Sequence, residues 1–154
     1  MIWWAAGVLP VSTMDDETPV VLLGRDARWK GGGWSDFAGG GETVDASPED
    51  TALRELEEET SGLVRLERAD LLVAARFRDV TPRGKTLHRF VVRVPFDPSL
   101  PDRFVENPEK VAIAWFALNK LPYLRRVFET QMRRDAEAIA TYAAAARNHH
   151  HHHR

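Results

Sequence analysis

Four of the six residues in the run Arg54-Glu55-Leu56-Glu57-Glu58-Glu59 are glutamates. On a helix of about 3.6 residues per turn, Glu55, Glu58 and Glu59 fall at i, i+3 and i+4 and share one face. Glu57 points elsewhere, toward solvent, and Ala52, Leu53, Leu56, Thr60 and Leu63 gather on a separate apolar side. The acidic stripe is locally unfavourable. Like charges at this spacing cost roughly 0.2–0.5 kcal/mol per pair. The helix dipole disfavours each carboxylate in the last turn by about 0.3–1 kcal/mol. Local rules broken together often mark a site. Three hard oxygen ligands on a rigid element suit Mg²⁺ or Mn²⁺, and a cation would relieve the repulsion. The competing reading is a solvated acidic face screened by Arg54. Gly39, Gly40 and Gly41, just before the helix, let the backbone approach a ligand closely. A glycine loop feeding a helix with clustered acids suits phosphate and metal. No Gly-Lys-Ser/Thr follows, so the loop is not a P-loop.

The elements that must position this stripe are readable around it. Residues 2–12 and 19–25 read as strands joined by the polar turn MDDET, and residues 26–33 as a loop. Trp34 to Phe37 reads as a short strand leading into the glycines. Ser47 is a helix N-cap, Pro48 sits at the first helical position, and Asp50 makes a weaker form of the capping box. The helix is expected to run to about Ser61, with Gly62 as its stop. Residues 71–80 and 86–96 read as two strands around the turn TPRGK, 111–118 as another strand, and 123–147 as a helix. Strands, helix, strands, helix predicts a mixed α/β single domain over residues 1–147.

The chain of 154 residues suits one domain with a core of its own. No apolar run reaches the roughly 18 residues of a membrane span. The apolar start MIWWAAGVLPV lacks a basic n-region and a cleavage site, so it reads as a strand and not as a signal peptide. With no cysteine there is no disulfide, thiolate zinc site or thiol nucleophile, which fits a cytoplasmic location. The net charge of −2 gives no bulk field for nucleic acid. His149 to His153 reads as an expression tag, so 148–154 is set aside. His88 is then the one internal histidine, which removes any histidine-based metal cluster.

The stretch from Gly40 to Leu63 resembles the Nudix box, G-x5-E-x7-R-E-U-x-E-E-x-G-U, where U is aliphatic. Gly40 takes the first position, and Arg54, Glu55, Leu56, Glu58 and Glu59 take the central ones. Two positions depart: the first glutamate of the pattern falls on Ala46, with Asp45 one place early, and its late glycine falls on Ser61, with Gly62 one place late. The resemblance implies an α/β/α sandwich with a mixed sheet and a loop-helix-loop catalytic motif. It also implies hydrolysis of a diphosphate linkage assisted by Mg²⁺ or Mn²⁺. Glu55, Glu58 and Glu59 would bind metal, Glu55 would orient or deprotonate the water, and Arg54 would hold the carboxylates by ion pairs. Gly40 would offer backbone to metal or phosphate, and Asp45 or nothing would replace the missing glutamate. An acid from outside the box would be Glu109, six residues before Trp115, with Glu106 as the alternative.

For substrate, the family favours a nucleoside diphosphate derivative: a nucleoside triphosphate, sugar nucleotide, dinucleotide or cap-like molecule. Arg76 and Arg78 share a strand face and are candidate phosphate contacts. Trp34 and Phe37 are candidates to stack a nucleobase. Alternatives are a diphosphoinositol, a capped RNA end, or a non-catalytic nucleotide-binding domain. The absence of cysteine disfavours isopentenyl diphosphate isomerase. The alanine-rich last helix could pack on its own sheet or on a second copy in a homodimer.

Overall fold

The structure, a computed structural model, describes residues 2–152, with side chains through residue 145. The side chains of the histidine-rich end, 148–154, lie outside the described residues. The elements are β1 (Trp4–Thr13), β2 (Pro19–Asp26), a 3₁₀ turn (Arg28–Lys30), β3 (Trp34–Ser35), β4 (Phe37–Gly40), α1 (Pro48–Glu59) and α2 (Arg68–Leu72). There follow β5 (Ala75–Val80), β6 (Thr86–Arg93), α3 (Leu100–Arg103), β7 (Lys110–Ala117) and α4 (Arg126–His152). Among the described residues no helix is long and apolar enough to cross a membrane.

β1 is the central strand. It is buried along almost its whole length, which is why its sequence is continuously apolar and does not alternate. On one side it runs parallel to β6, from Trp4 opposite Thr86 to Val11 opposite Arg93. Its other side is shared: β4 pairs with Ala5 to Val8, and β2 pairs with Val11 to Thr13. β7 and β3 extend the sheet beyond β2, and β5 closes the far edge beyond β6. The sheet therefore forks where β2 and β4 separate. One face buries Ala6, Val8, Leu22, Phe37 and Phe90 with Leu56 of α1. The other buries Leu9, Val11, Leu23 and Val91 with Phe128, Met132 and Ile139 of α4. This is the α/β/α sandwich with a mixed sheet.

Three sequence expectations change. Residues 71–80 are not one strand: Arg68–Leu72 is a short helix, and the strand begins at Ala75. Glu67 and Asp70 form a reciprocal capping box, and that local cap outweighs the strand-like run that follows. The strand expected over 86–96 ends at Arg93, two residues before Pro95, which has no N–H to donate to a ladder. α1 starts as expected, with Ser47 Oγ accepting from the Asp50 N–H at 3.4 Å. It ends at Glu59, earlier than Ser61, and both Ser61 (φ 52°) and Gly62 (φ 79°) are left-handed. The shifted glycine thus adds a left-handed residue to the exit, not a residue to the helix.

Candidate active site

Arg54 is the hub of the loop-helix-loop motif. Its Nε and Nη2 donate to the two Asp45 carboxylate oxygens at 3.1 and 2.7 Å. Its Nη1 lies 2.9 Å from Glu42, 3.0 Å from Glu55 and 3.4 Å from Glu58, and Nη2 donates to the Gly40 carbonyl at 3.3 Å. Planar donors in a fixed fork make this geometry specific to arginine. Asp45 is buried and also accepts from Thr51 Oγ1 at 2.8 Å and from the Glu42 N–H at 2.9 Å. The guanidinium beside it holds the Asp45 carboxyl well below the usual carboxylate range. A carboxylate one position early therefore meets Arg54 even though Ala46 cannot.

The acidic stripe divides by burial. Glu55 and Glu59 are buried, whereas Glu58 and Glu57 are exposed and pair with Arg54 and Arg65 respectively. Glu55 lies directly against Gly39: a Cβ there would sit 2.5 Å from the Glu55 carboxyl carbon. Only glycine allows that approach. Glu59 is 2% exposed, and its Oε1 has no hydrogen-bond partner. Burial pushes its carboxyl up to about 9; Lys110 opposes the shift and the neighbouring Glu55 adds to it.

Lys110 occupies the fork of the sheet. Its Nζ is fully buried and donates to Asp26 Oδ1 (2.6 Å), Ser35 Oγ (2.7 Å) and the carbonyls of Asp36 (3.0 Å) and Gly24 (3.4 Å), with Glu59 Oε1 at 3.7 Å. Gly24 is glycine because a Cβ would come within 2.7 Å of the lysine stem. Asn107 ties the loop before β7 to the end of α1, its Nδ2 donating to the carbonyls of Glu58 and Glu59 at 3.2 and 3.0 Å. These carbonyls lie in the last turn, beyond the reach of further helical N–H groups, and that of Glu58 also accepts from the Ser61 N–H at 3.2 Å. Glu109 pairs with Lys30 at 2.8 Å, and Glu106 is exposed.

Among the described residues no three acidic or histidine side chains converge closely enough to ligate one ion; Glu58 and Glu55 are both held on Arg54 Nη1. The chemistry of the donors nevertheless fits a hard divalent cation. Glu59 offers a buried, unpartnered oxygen, and Glu55 lies beside it.

On the opposite sheet face, a cavity of about 380 Å³ opens between β4, β6 and the start of α4. Gly39 and Gly40 line it, so at Gly39 a single glycine backbone separates it from Glu55. Lys30 and Arg125 are its cationic lining residues besides Arg89. The expected substrate contacts lie elsewhere. Phe37 is fully buried in the core beneath α1 and cannot stack a base. Trp34 packs edge-on against Phe116, with ring centroids 4.8 Å apart. Arg76 and Arg78 alternate with Phe77, which belongs to the α4 side, so they face the α1 side and not the cavity. Arg76 contacts His88 at 2.8 Å, lies over the Phe90 ring and approaches Glu49. The residues missed from sequence are Asp36, Arg89, Lys110 and Gln131. Each is one polar residue among others in its stretch of sequence, and only the assembled sheet shows its partners.

Fold and site together define an α/β/α sandwich in which an arginine-braced carboxylate helix meets a glycine-lined cavity. The NUDIX domain model matches residues 1–140, and the chain belongs to the Nudix family. No curated protein matches the chain. Similar solved structures include the Nudix hydrolase RenU from M. smegmatis, at 23% identity and TM-score 0.64 over 91% of this chain and 89% of that one. A bifunctional NMN adenylyltransferase/ADP ribose pyrophosphatase from Francisella tularensis, complexed with AMP and a Mn ion, aligns at 18% identity and TM-score 0.65 over 90% of this chain. A MutT/nudix family protein from Enterococcus faecalis aligns at 20% identity and TM-score 0.55 over 76% of this chain. The chain spans 42% of the Francisella protein and 44% of the Enterococcus protein.

Proposed function

We propose that this chain is a divalent-metal-dependent hydrolase cleaving a diphosphate linkage in a nucleoside diphosphate derivative. The observation that carries this reading is the Glu55 carboxyl packed against Gly39, the glycine that also lines the cavity. A substrate seated there would have Lys30 and Arg125 of the lining available to its phosphates. Glu55, Glu58 and Glu59 would hold Mg²⁺ or Mn²⁺, with the Gly40 carbonyl in reach of the same region through Arg54. The bound cation would offset diphosphate charge and lower the pKa of water. Glu55, the buried helix carboxylate packed against Gly39, would orient or deprotonate that water. Arg54 keeps Glu55 and Glu58 in place and does not need to touch substrate. The Francisella relative is complexed with AMP and a Mn ion, which supports both the nucleotide and the metal.

The strand arginines do not favour a diphosphoinositol. Arg89 is buried against Asp36, and Arg76 and Arg78 face the α1 side, so they do not line the cavity with free positive charge. The reading is tested with ADP-ribose, nucleoside triphosphates, nucleotide sugars, dinucleotide caps and diphosphoinositols, each with Mg²⁺ or Mn²⁺, a phosphatase being added to detect monoester products. Turnover of a nucleoside diphosphate derivative, lost in Glu58→Gln, is expected. Turnover of the diphosphoinositols alone, or equal turnover by the variant, would sink it.

A further inference from the structure

Taking the hydrolase reading as its basis, we infer that the cavity holds the nucleobase end of the substrate and reads its edge through Asp36 and Gln131. Asp36, Arg89 and Gln131 line the cavity, and each is 5% exposed or less. Arg89 Nε donates to Asp36 Oδ2 at 2.6 Å, and its Nη2 donates to Gln131 Oε1. A guanidinium has donors only, so the amide oxygen of Gln131 must face it and the amide nitrogen must face away. That leaves one unused acceptor, Asp36 Oδ1, and one unused donor group, Gln131 Nε2. Both residues line the cavity, so these are the polar groups they can present to it.

The rest of the lining says what should meet them. Ala5, Ala38, Leu87, Val127 and Phe128 give the cavity apolar walls. Its volume of about 380 Å³ lies within the usual range for small-molecule pockets. Apolar walls and a polar pair with one acceptor and one donor suit a flat heterocycle whose edge carries an N–H beside an acceptor. A sugar or phosphate group there would leave its own hydroxyls or charge unpaired against alkyl groups, which is costly. The orientation also agrees with charge. The base would point at Asp36 and Gln131, and the phosphates would emerge toward Lys30, Arg125 and Gly39.

Two substitutions of nearly unchanged shape test this. Gln131→Glu keeps an acceptor for Arg89 and turns the free donor into an acceptor. Asp36→Asn keeps an acceptor for Arg89 and turns the free acceptor into a donor. The double variant exchanges the two roles and retains one carboxylate beside Arg89. Calorimetric titration with AMP, GMP, CMP, UMP and ribose 5-phosphate reads binding without needing turnover. The wild-type chain is expected to bind its best nucleotide at least tenfold more tightly than ribose 5-phosphate. Each single variant should lose at least tenfold for that nucleotide and change ribose 5-phosphate less than twofold, and the double variant should prefer a different base. Equal binding of ribose 5-phosphate and all four nucleotides by the wild-type chain would overturn the inference. So would variants that weaken ribose 5-phosphate as much as the nucleotides. If one variant fails to fold, the other and the wild-type selectivity still decide. Base-selective binding without hydrolysis of any diphosphate would sink the hydrolase reading alone. Hydrolysis indifferent to the base would sink this inference alone.

Discussion

Arg54 and Asp45 show how a single residue can depart from a family pattern without losing its physics. The pattern asks for a carboxylate at position 46; this chain has Ala46 there and supplies the carboxylate from Asp45. The loop places it under Arg54, where two N–H groups, Thr51 and a backbone N–H all donate to it. Asp45→Asn would remove the charge and keep the shape. It is expected to lower stability at neutral pH by about 2 kcal/mol, as for a charge-assisted hydrogen bond, measured by denaturant unfolding. The pH dependence has a definite sign. The folded-state pKa of Asp45 lies below the unfolded value of about 3.9. The unfolded chain therefore takes up this proton first as pH falls. The contribution is complete above about pH 5 and is lost as pH drops through about 4 toward the folded value. The variant should show a shallower acid limb than the wild-type chain, and identical limbs would remove Asp45 from the account.

At the scale of elements, β4 and α1 work as a pair. β4 supplies a backbone with no side chain at Gly39, and α1 supplies the carboxylate that fills the space. In Gly39→Ala, the atoms in the way belong to the end of the Glu55 side chain, which can move. The expected outcome is a fall in kcat of tenfold or more, with the melting temperature changed by only a few degrees. Steady-state kinetics beside thermal unfolding checks it, and an unchanged kcat would separate Gly39 from the site. α1 was legible in sequence because cap, proline, apolar face and acidic face all agree over residues 47–60. The division of its stripe was not. Spacing puts Glu55, Glu58 and Glu59 on one face, but burial follows what packs against the helix. Lys110 comes from a strand distant in sequence and Gly39 from the strand just before the helix, and they bury Glu59 and Glu55 while Glu58 stays outside. The aromatic residues misled for the same reason. Trp34 and Phe37 flank the glycine loop in sequence, yet strand pairing turns Phe37 into the core. The cavity lining was illegible because Asp36, Arg89 and Gln131 meet only through β4, β6 and α4.

On the scale of the whole molecule, the forked sheet lets one scaffold hold a charged site on one face and an apolar-walled cavity on the other. Lys110 closes the fork, joining β2, β3, the Asp36 link to β4, and α1 through one buried ammonium. Removing one partner of such a buried array costs about 3–5 kcal/mol because the remaining charge is left unpaired. Lys110→Met should therefore lower the melting temperature by roughly 6–20 °C for a domain of this size, as read by calorimetry. A loss below the lower figure would mean that water or rearrangement replaces the lysine. The central claim, however, concerns catalysis at Glu55. The most direct test is kcat/KM for the best nucleoside diphosphate derivative with Mn²⁺, comparing the wild-type chain with Glu55→Gln at matched folded fraction. The account predicts a loss of at least 100-fold in the variant with its melting temperature preserved. Undiminished turnover by Glu55→Gln would contradict it.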